Sequence, residues 1–278
     1  MNKTHVSRDQ IIALCLAVVT FGVLVGLLWG EILLINKHTD ENLVIHLRLP
    51  DVLVGMTVYL KTSIDFAIFI GRLMDKNRGL KGRIGIEIGT ALGNAAGTFA
   101  IILLWSLFRQ VNWLMAIMII VAALVLLRLA QDGLEHINPK KTSYPRWFRD
   151  FIVGFDLALR SINRVFDPVL SKIIPSHNLK ATTRATLFGL LAVSFTIPFV
   201  LGLDDFAGYV PLFNVVNIFG FAVGVFAGHM ILNIFLYLSP KRTIAAVKNP
   251  LVSLFGSVAF IILAGWGLIE AVKLIFLH

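Results

Sequence analysis

The run at 84–108, IGIEIGTALGNAAGTFAIILLWSLF, decides the fold class. Its 25 residues carry one charge, Glu87. As a helix it extends about 37 Å at 1.5 Å per residue, enough to cross a hydrocarbon core about 30 Å thick. Gly89, Gly93 and Gly97 recur every fourth residue, which stacks them on one helix face and lets a neighbouring backbone come close. The pattern returns 131 residues later as Gly220, Gly224 and Gly228, with Ala91 and Ala96 matched by Ala222 and Ala227.

The rest of the chain agrees with that stretch. Of 278 residues, 57% are hydrophobic and 15% charged, with a mean hydropathy of +0.83. A soluble domain keeps about a quarter of its residues charged, so the composition excludes an ordinary globular enzyme. Lys and Arg outnumber Asp and Glu by 25 to 16, but the basic residues lie between apolar runs. They therefore read as topology signals and contacts with anionic lipid headgroups, not as a nucleic-acid surface. The single Cys15 gives no disulfide and no thiolate metal site.

Seven spans are expected, at 10–35, 51–72, 84–108, 111–128, 185–207, 211–238 and 251–276, making an all-α polytopic membrane protein. The first is too long for a signal-peptide core and is read as a true helix. Arg72, Lys76, Arg78, Lys81 and Arg83 fall on one side with Lys3 and Arg8, with the cations of the long segment after the fourth span, and with Lys241, Arg242 and Lys248. The positive-inside rule then puts the N-terminus in the cytoplasm and the C-terminus outside, across a membrane read as the bacterial plasma (inner) membrane.

Four regions follow. A peripheral N-terminal helix occupies 1–40, a first three-helix repeat 51–128, a cytoplasmic amphipathic segment 129–184 and a second three-helix repeat 185–278. In the third region Phe148, Phe151, Ile152, Phe155, Leu159, Ile162, Phe166, Val169 and Ile173 keep three- to four-residue spacing, as a helix lying with its apolar side in the headgroup boundary does. The two repeats rest on the glycine patterns and on Asp-Phe-Ala, which occurs at Asp65-Phe66-Ala67 and Asp205-Phe206-Ala207. Three spans per repeat invert the second copy, an arrangement that places transporter sites near mid-membrane. Close approach of spans three and six would bring the two acidic motifs to one axis.

Polar groups inside spans are the candidate site. Lys61 and Asp65 stand one helical turn apart in the second span, either as a structural ion pair or as a cation- or proton-handling pair. Asp205 is the repeat counterpart of Asp65, with Asp204 beside it. Glu87 is either a snorkelling surface carboxylate or a ligand, and Asn94 lies two turns further along the same face. In the sixth span Asn214, Asn217, His229 and Asn233 are conspicuous. The asparagines serve as helix-to-helix hydrogen-bonding groups or as hard oxygen ligands for Ca, Mg or Mn, and His229 as a softer ligand or a proton carrier. The candidate metal ligands are Asp65, Asp204, Asp205, Asn94 and Asn217. Pro198 is expected to break the fifth span and to leave an irregular end carrying Asp204 and Asp205.

The runs Thr62-Ser63-Ile64-Asp65-Phe66-Ala67-Ile68-Phe69-Ile70 and Leu203-Asp204-Asp205-Phe206-Ala207 resemble the paired acidic motifs of the lysine-exporter superfamily, in particular its cadmium-resistance and tellurium-resistance-like branches. The resemblance covers about 60–128 and 185–276. It implies that Asp65 and Asp205 handle metal or protons, with Asp204 auxiliary. Ser63 and Ile64 depart from the usual Asn and first Asp of that motif.

The expected function is a secondary transporter, an exporter, of a cation, with a divalent metal such as Mn, Ca or Mg ahead of the alternative, a small amine or amino acid. An enzyme is disfavoured because the seven histidines form no metalloprotease or hydroxylase spacing; no P-loop occurs, so a primary pump would need a separate ATPase chain, and no such subunit is implied. No permanently bound cofactor is expected, a transported divalent cation or proton aside. The partners are the lipid bilayer and its anionic headgroups, and a homodimer stays open. In a topology assay, Lys76→Cys and Arg242→Cys should react with an impermeant maleimide only in opened cells, and His278→Cys in intact ones. The reverse pattern would invert the orientation.

Overall fold

The computed structural model describes residues 8–39, 42–77, 79–135, 146–173, 186–207, 209–213, 216–247 and 249–276. Within these, the side chains at 8, 9, 65, 132, 133, 135, 147–149, 151, 162, 165–173, 200–207, 211, 250, 252 and 253 lie outside the description. Among the described residues the regular structure is helical: α1 (Arg8–His38), α2 (Leu49–Thr62), α3 (Ile64–Lys76), α4 (Leu80–Phe108), α5 (Asn112–Glu135), α6 (Arg146–Ile173), α7 (Leu187–Ala207), a 3₁₀ turn (Val210–Leu212), α8 (Ile218–Leu238), α9 (Pro240–Val247) and α10 (Pro250–Phe276). Helices suit this composition because they satisfy their backbone hydrogen bonds internally, where hydrocarbon offers none.

Five of these, α1, α4, α5, α8 and α10, are long and apolar enough to cross a membrane. The α2–α3 pair makes a sixth if it crosses as one span, and α7 has a shorter apolar stretch, Leu187–Phe199. The polytopic all-α reading therefore stands, at five or six candidate spans among the described residues.

Three expectations are corrected. The second span is not one helix, because α2 and α3 meet at Ser63 with a bend of 69°. No proline is present there. Thr62 turns its hydroxyl onto the Tyr59 carbonyl at 3.1 Å, the kind of local side-chain bond that competes with helix continuation. Conversely α7 runs unbroken through Pro198. Finally, the sixth span starts later than 211, because Val210–Leu212 forms the short turn and α8 begins at Ile218.

The chain divides into two compact units. The first comprises Met1–Ala100, Leu179–Gly202 and Val216–Ala246. In it the glycine stripes set the helix pairs. A Cβ at Gly55 of α2 would run into the Phe221 carbonyl oxygen of α8, and one at Gly224 into the Val52 carbonyl oxygen. Further along, a Cβ at Gly228 would stand 3.1 Å from the Met56 carbonyl oxygen. In α4, a Cβ at Gly89 would lie 2.6 Å from the Leu191 carbonyl oxygen of α7, and Gly93 gives its space to the Phe195 carbonyl and the Pro198 ring. The stripes of spans three and six therefore face α7 and α2, not each other as expected.

Helix α1 packs on α8, burying the three- to four-spaced Leu24, Leu28, Ile32 and Ile35 while Val19, Val23 and Leu34 stay exposed. The linker that follows is pinned at both sides. Asn36 exchanges two hydrogen bonds with the Leu43 backbone at 2.9 and 2.8 Å, and Asn217 donates to the Val44 carbonyl at 2.8 Å. At the other end of α8, Arg83 donates to the Tyr237 carbonyl at 2.7 Å and lies over its ring, a favourable place for a cation near a helix C-terminus.

The second unit comprises Ile101–Asn178, Leu203–Val215 and Val247–His278. Ala123, Leu126, Ala130 and Leu134 of α5 pack with Phe260 and Ala264 of α10, and Ile152 and Leu159 of α6 complete this core. The helix expected at 148–173 is thus present as α6. At Ile152 and Leu159, however, the face expected to lie on lipid is covered by protein.

Gly55→Val and Gly224→Val should each lower stability by about 1–3 kcal/mol, because the new atoms meet backbone that cannot rotate away. Gly265→Leu, where nothing lies within 4 Å, should leave it unchanged. Thermal unfolding in detergent reads both.

Candidate functional site

The bend at Ser63 is the first element of the site. The last carbonyls of α2 and the first N–H groups of α3 lack partners within their own helices by geometry. Ser63 is buried and its hydroxyl has no hydrogen-bond partner among the described residues. Tyr59, one turn before the bend, and Phe66, one turn after it, both place their rings against His229 of α8, at centroid distances of 5.5 and 5.4 Å. A break in a membrane helix is tolerated where it is buried or lines a polar cavity.

From His229 a chain of polar contacts crosses to α4. Tyr59 Oη lies 2.5 Å from His229 Nδ1, and Asn233, one turn along α8, places Nδ2 3.0 Å from His229 Nε2. The same amide nitrogen donates to Thr90 Oγ1 at 3.0 Å, and the Thr90 hydroxyl donates to the Glu87 carbonyl at 2.9 Å. Asn233 Nδ2 has two hydrogens, one for each acceptor. By that assignment His229 Nε2 accepts, the ring proton sits on Nδ1, and Tyr59 Oη receives it. His229, Asn233 and Thr90 are each 0% exposed, so the chain has no recourse to water.

Helix α4 presents Glu87, Thr90, Asn94 and Thr98 within about 80° of arc, at 100° per residue. Glu87 is 0% exposed, and neither of its carboxyl oxygens has a hydrogen-bond partner among the described residues. It is therefore an interior group, not a snorkelling one. Asn94 is also buried, with Nδ2 unpartnered among the described residues. A buried carboxylate without partner is costly when ionised, by several kcal/mol, so this position calls for a proton or a cation.

The remaining candidates are placed as follows. Lys61 closes α2, partly buried, and Asp65 belongs to the first turn of α3. The two stand on opposite sides of the bend, not one turn apart on a single helix. The side chains of Asp65, Asp204 and Asp205 lie outside the described residues, the last two in the final turn of α7, and so does Asn214. Asn217 is the N-cap of α8, its Oδ1 accepting from Gly220 N at 3.0 Å and its Nδ2 committed to Val44. Among the described residues no three His, Cys, Asp or Glu side chains converge as metal ligands.

Sequence reading missed Tyr59, Thr90 and Ser63. A signal was available: Thr90 follows Glu87 by three residues, and Tyr59 precedes the Thr-Ser pair by one turn.

Fold and site together define an integral membrane protein, an all-α bundle with a buried polar chain and an enclosed carboxyl group. Comparison with protein families, with curated proteins and with solved structures finds no match for this chain.

Thr90→Val should cost about 0.6 kcal/mol, the usual worth of one interhelical hydrogen bond in a bilayer. Asn233→Ala should cost more, about 1–2 kcal/mol, because it strands both His229 and Thr90. Denaturant unfolding in detergent or bicelles measures the difference, and equal losses would mean that the contacts do not act in series.

Proposed function

We propose that the chain is a secondary transporter that exports a cation, in which a proton and the cation exchange at buried carboxylates. The enclosed Glu87, without a hydrogen-bond partner among the described residues, carries this reading. An interior carboxylate must be neutralised, and alternation between H⁺ and a substrate cation is the simplest cycle that keeps it so. Asn94, on the same face, adds an oxygen ligand, a hard donor that together with a carboxylate suits a divalent ion such as Mn, Ca or Mg. The Tyr59–His229–Asn233–Thr90 chain fixes the buried groups around the bend without itself relaying protons, because the Asn233 amide donates in both directions. Half-helix ends near the centre of a span are the usual partners of transported ions.

The helix pairing supports two inverted halves. The first helix of each expected repeat lies against the glycines of the second helix of the other, α2 on α8 and α7 on α4, while the third helices pair as α5 and α10. That exchange is what a pseudo-two-fold axis in the membrane plane produces, and it agrees with the resemblance to the lysine-exporter superfamily. Seven crossings with a cytoplasmic N-terminus, in a bacterial inner membrane, complete the proposal. No ATPase subunit and no enzymatic step form part of it.

Proteoliposomes loaded with Mn²⁺, Ca²⁺, Mg²⁺ or lysine decide the substrate class. Glu87→Gln and Asp65→Asn should each reduce metal flux by at least about tenfold, as loss of a metal-site group does, with the protein still folded. Lys61→Met should change the pH profile of flux more than expression. Wild-type flux in Glu87→Gln would refute the proposal, and lysine flux without metal flux would transfer it to the amine class.

A further inference from the structure

Beside the contact of α6 with α5 lies an open cavity of about 260 Å³, lined by Gln131, Arg160, Asn163 and Arg164. Asn163 is 7% exposed, so it is a built part of this wall and not a surface accident. Its Nδ2 donates to the Leu127 carbonyl at 3.3 Å and to Gln131 Oε1 at 2.6 Å, which fixes the amide and leaves the buried Oδ1 with no donor among the described residues. Arg160 and Arg164 are exposed one turn apart, and Asp156 pairs with Arg160 at 2.8 Å. Among the described residues at the cavity two guanidinium groups stand against one carboxylate, an excess of one positive charge. The cavity's chemistry therefore asks for a monoanion that also brings a hydroxyl hydrogen.

The surface next to the cavity says where that anion comes from. At 100° per residue, Val153, Leu157, Arg160 and Arg164 fall within about 60° of arc on the exposed side of α6, apolar first and cationic second. Val153 and Leu157 are 43% and 59% exposed. A free phosphate has no use for that apolar approach, whereas a phospholipid presents acyl chain and headgroup in this order.

We propose that the cavity binds an anionic phospholipid whose phosphodiester headgroup ends in a hydroxyl, of the phosphoglycerol type. Arg160 and Arg164 hold the phosphate, Asn163 Oδ1 accepts from the headgroup hydroxyl, and the acyl chains follow Leu157 and Val153. A phosphomonoester lipid carries more charge than the cavity matches and no hydroxyl. An ethanolamine headgroup sets an ammonium against two arginines. The site is independent of the transport proposal, lying wholly within the second compact unit.

The test is lipid retention by the whole protein in detergent, read by native mass spectrometry and by titration. Phosphatidylglycerol should bind more tightly than phosphatidylmethanol, which has the same phosphodiester without the hydroxyl, and more tightly than phosphatidylethanolamine. Arg164→Gln should weaken phosphatidylglycerol binding about tenfold, as loss of one charge-assisted contact does, while Arg242→Gln in the other unit leaves it unchanged. Equal binding of phosphatidylglycerol and phosphatidylmethanol, unaltered retention in Arg164→Gln, or equally tight binding of water-soluble glycerophosphoglycerol would each overturn the proposal.

Discussion

A hydrogen-bonding group in hydrocarbon has no water to turn to, and this one constraint orders the structure. It makes the backbone helical, and it makes each departure from helix answer for itself. At Ser63 the departure is surrounded by the rings of Tyr59 and Phe66 and by His229. The polar side chains of α4 and α8 are threaded into one series, so that Asn233 serves two helices at once. The series ends on the Glu87 backbone carbonyl, and the carboxyl group of the same residue has no hydrogen-bond partner among the described residues. An unmet polar group in such a place is a demand for a ligand.

Close backbone contact is the second organising device. The glycines of α4 and α8 are not conformational necessities, since they sit in ordinary helices without positive φ. They matter for what their missing side chains admit. Gly93 and Pro198 show the exchange, because the proline ring occupies the volume that a Cβ at 93 would claim. The neighbouring helix thereby braces α7 across the point where Pro198 removes a hydrogen bond, and α7 stays straight enough to be one helix.

That pair also shows what could be read from the sequence. Helix positions were legible because long apolar runs and four-residue glycine spacing are strong one-dimensional signals, and α6 was legible from its periodicity. The break was misplaced because proline is the loud local signal and Thr62-Ser63 a quiet one. Tertiary packing silenced the first and let the second act. Composition cannot tell an N-cap from an interior residue, so the sequence alone leaves Asn217 inside a span. Its capping bond to Gly220 makes the distinction. Glu87 was singled out, but its depth was not, since burial of a residue near a span's end depends on which helices lie beside it.

The grip on the linker between α1 and α2 sets how the first unit can move. Asn36 holds that linker from α1 and Asn217 holds it from the start of α8, while α2 is locked to α8 backbone against backbone. Three helices are thereby riveted into a single lever. That continuity ends at Ser63, past the end of α2, where α3 leaves at 69°. Any change in that angle would fall first on Tyr59 and Phe66, the two rings that touch His229.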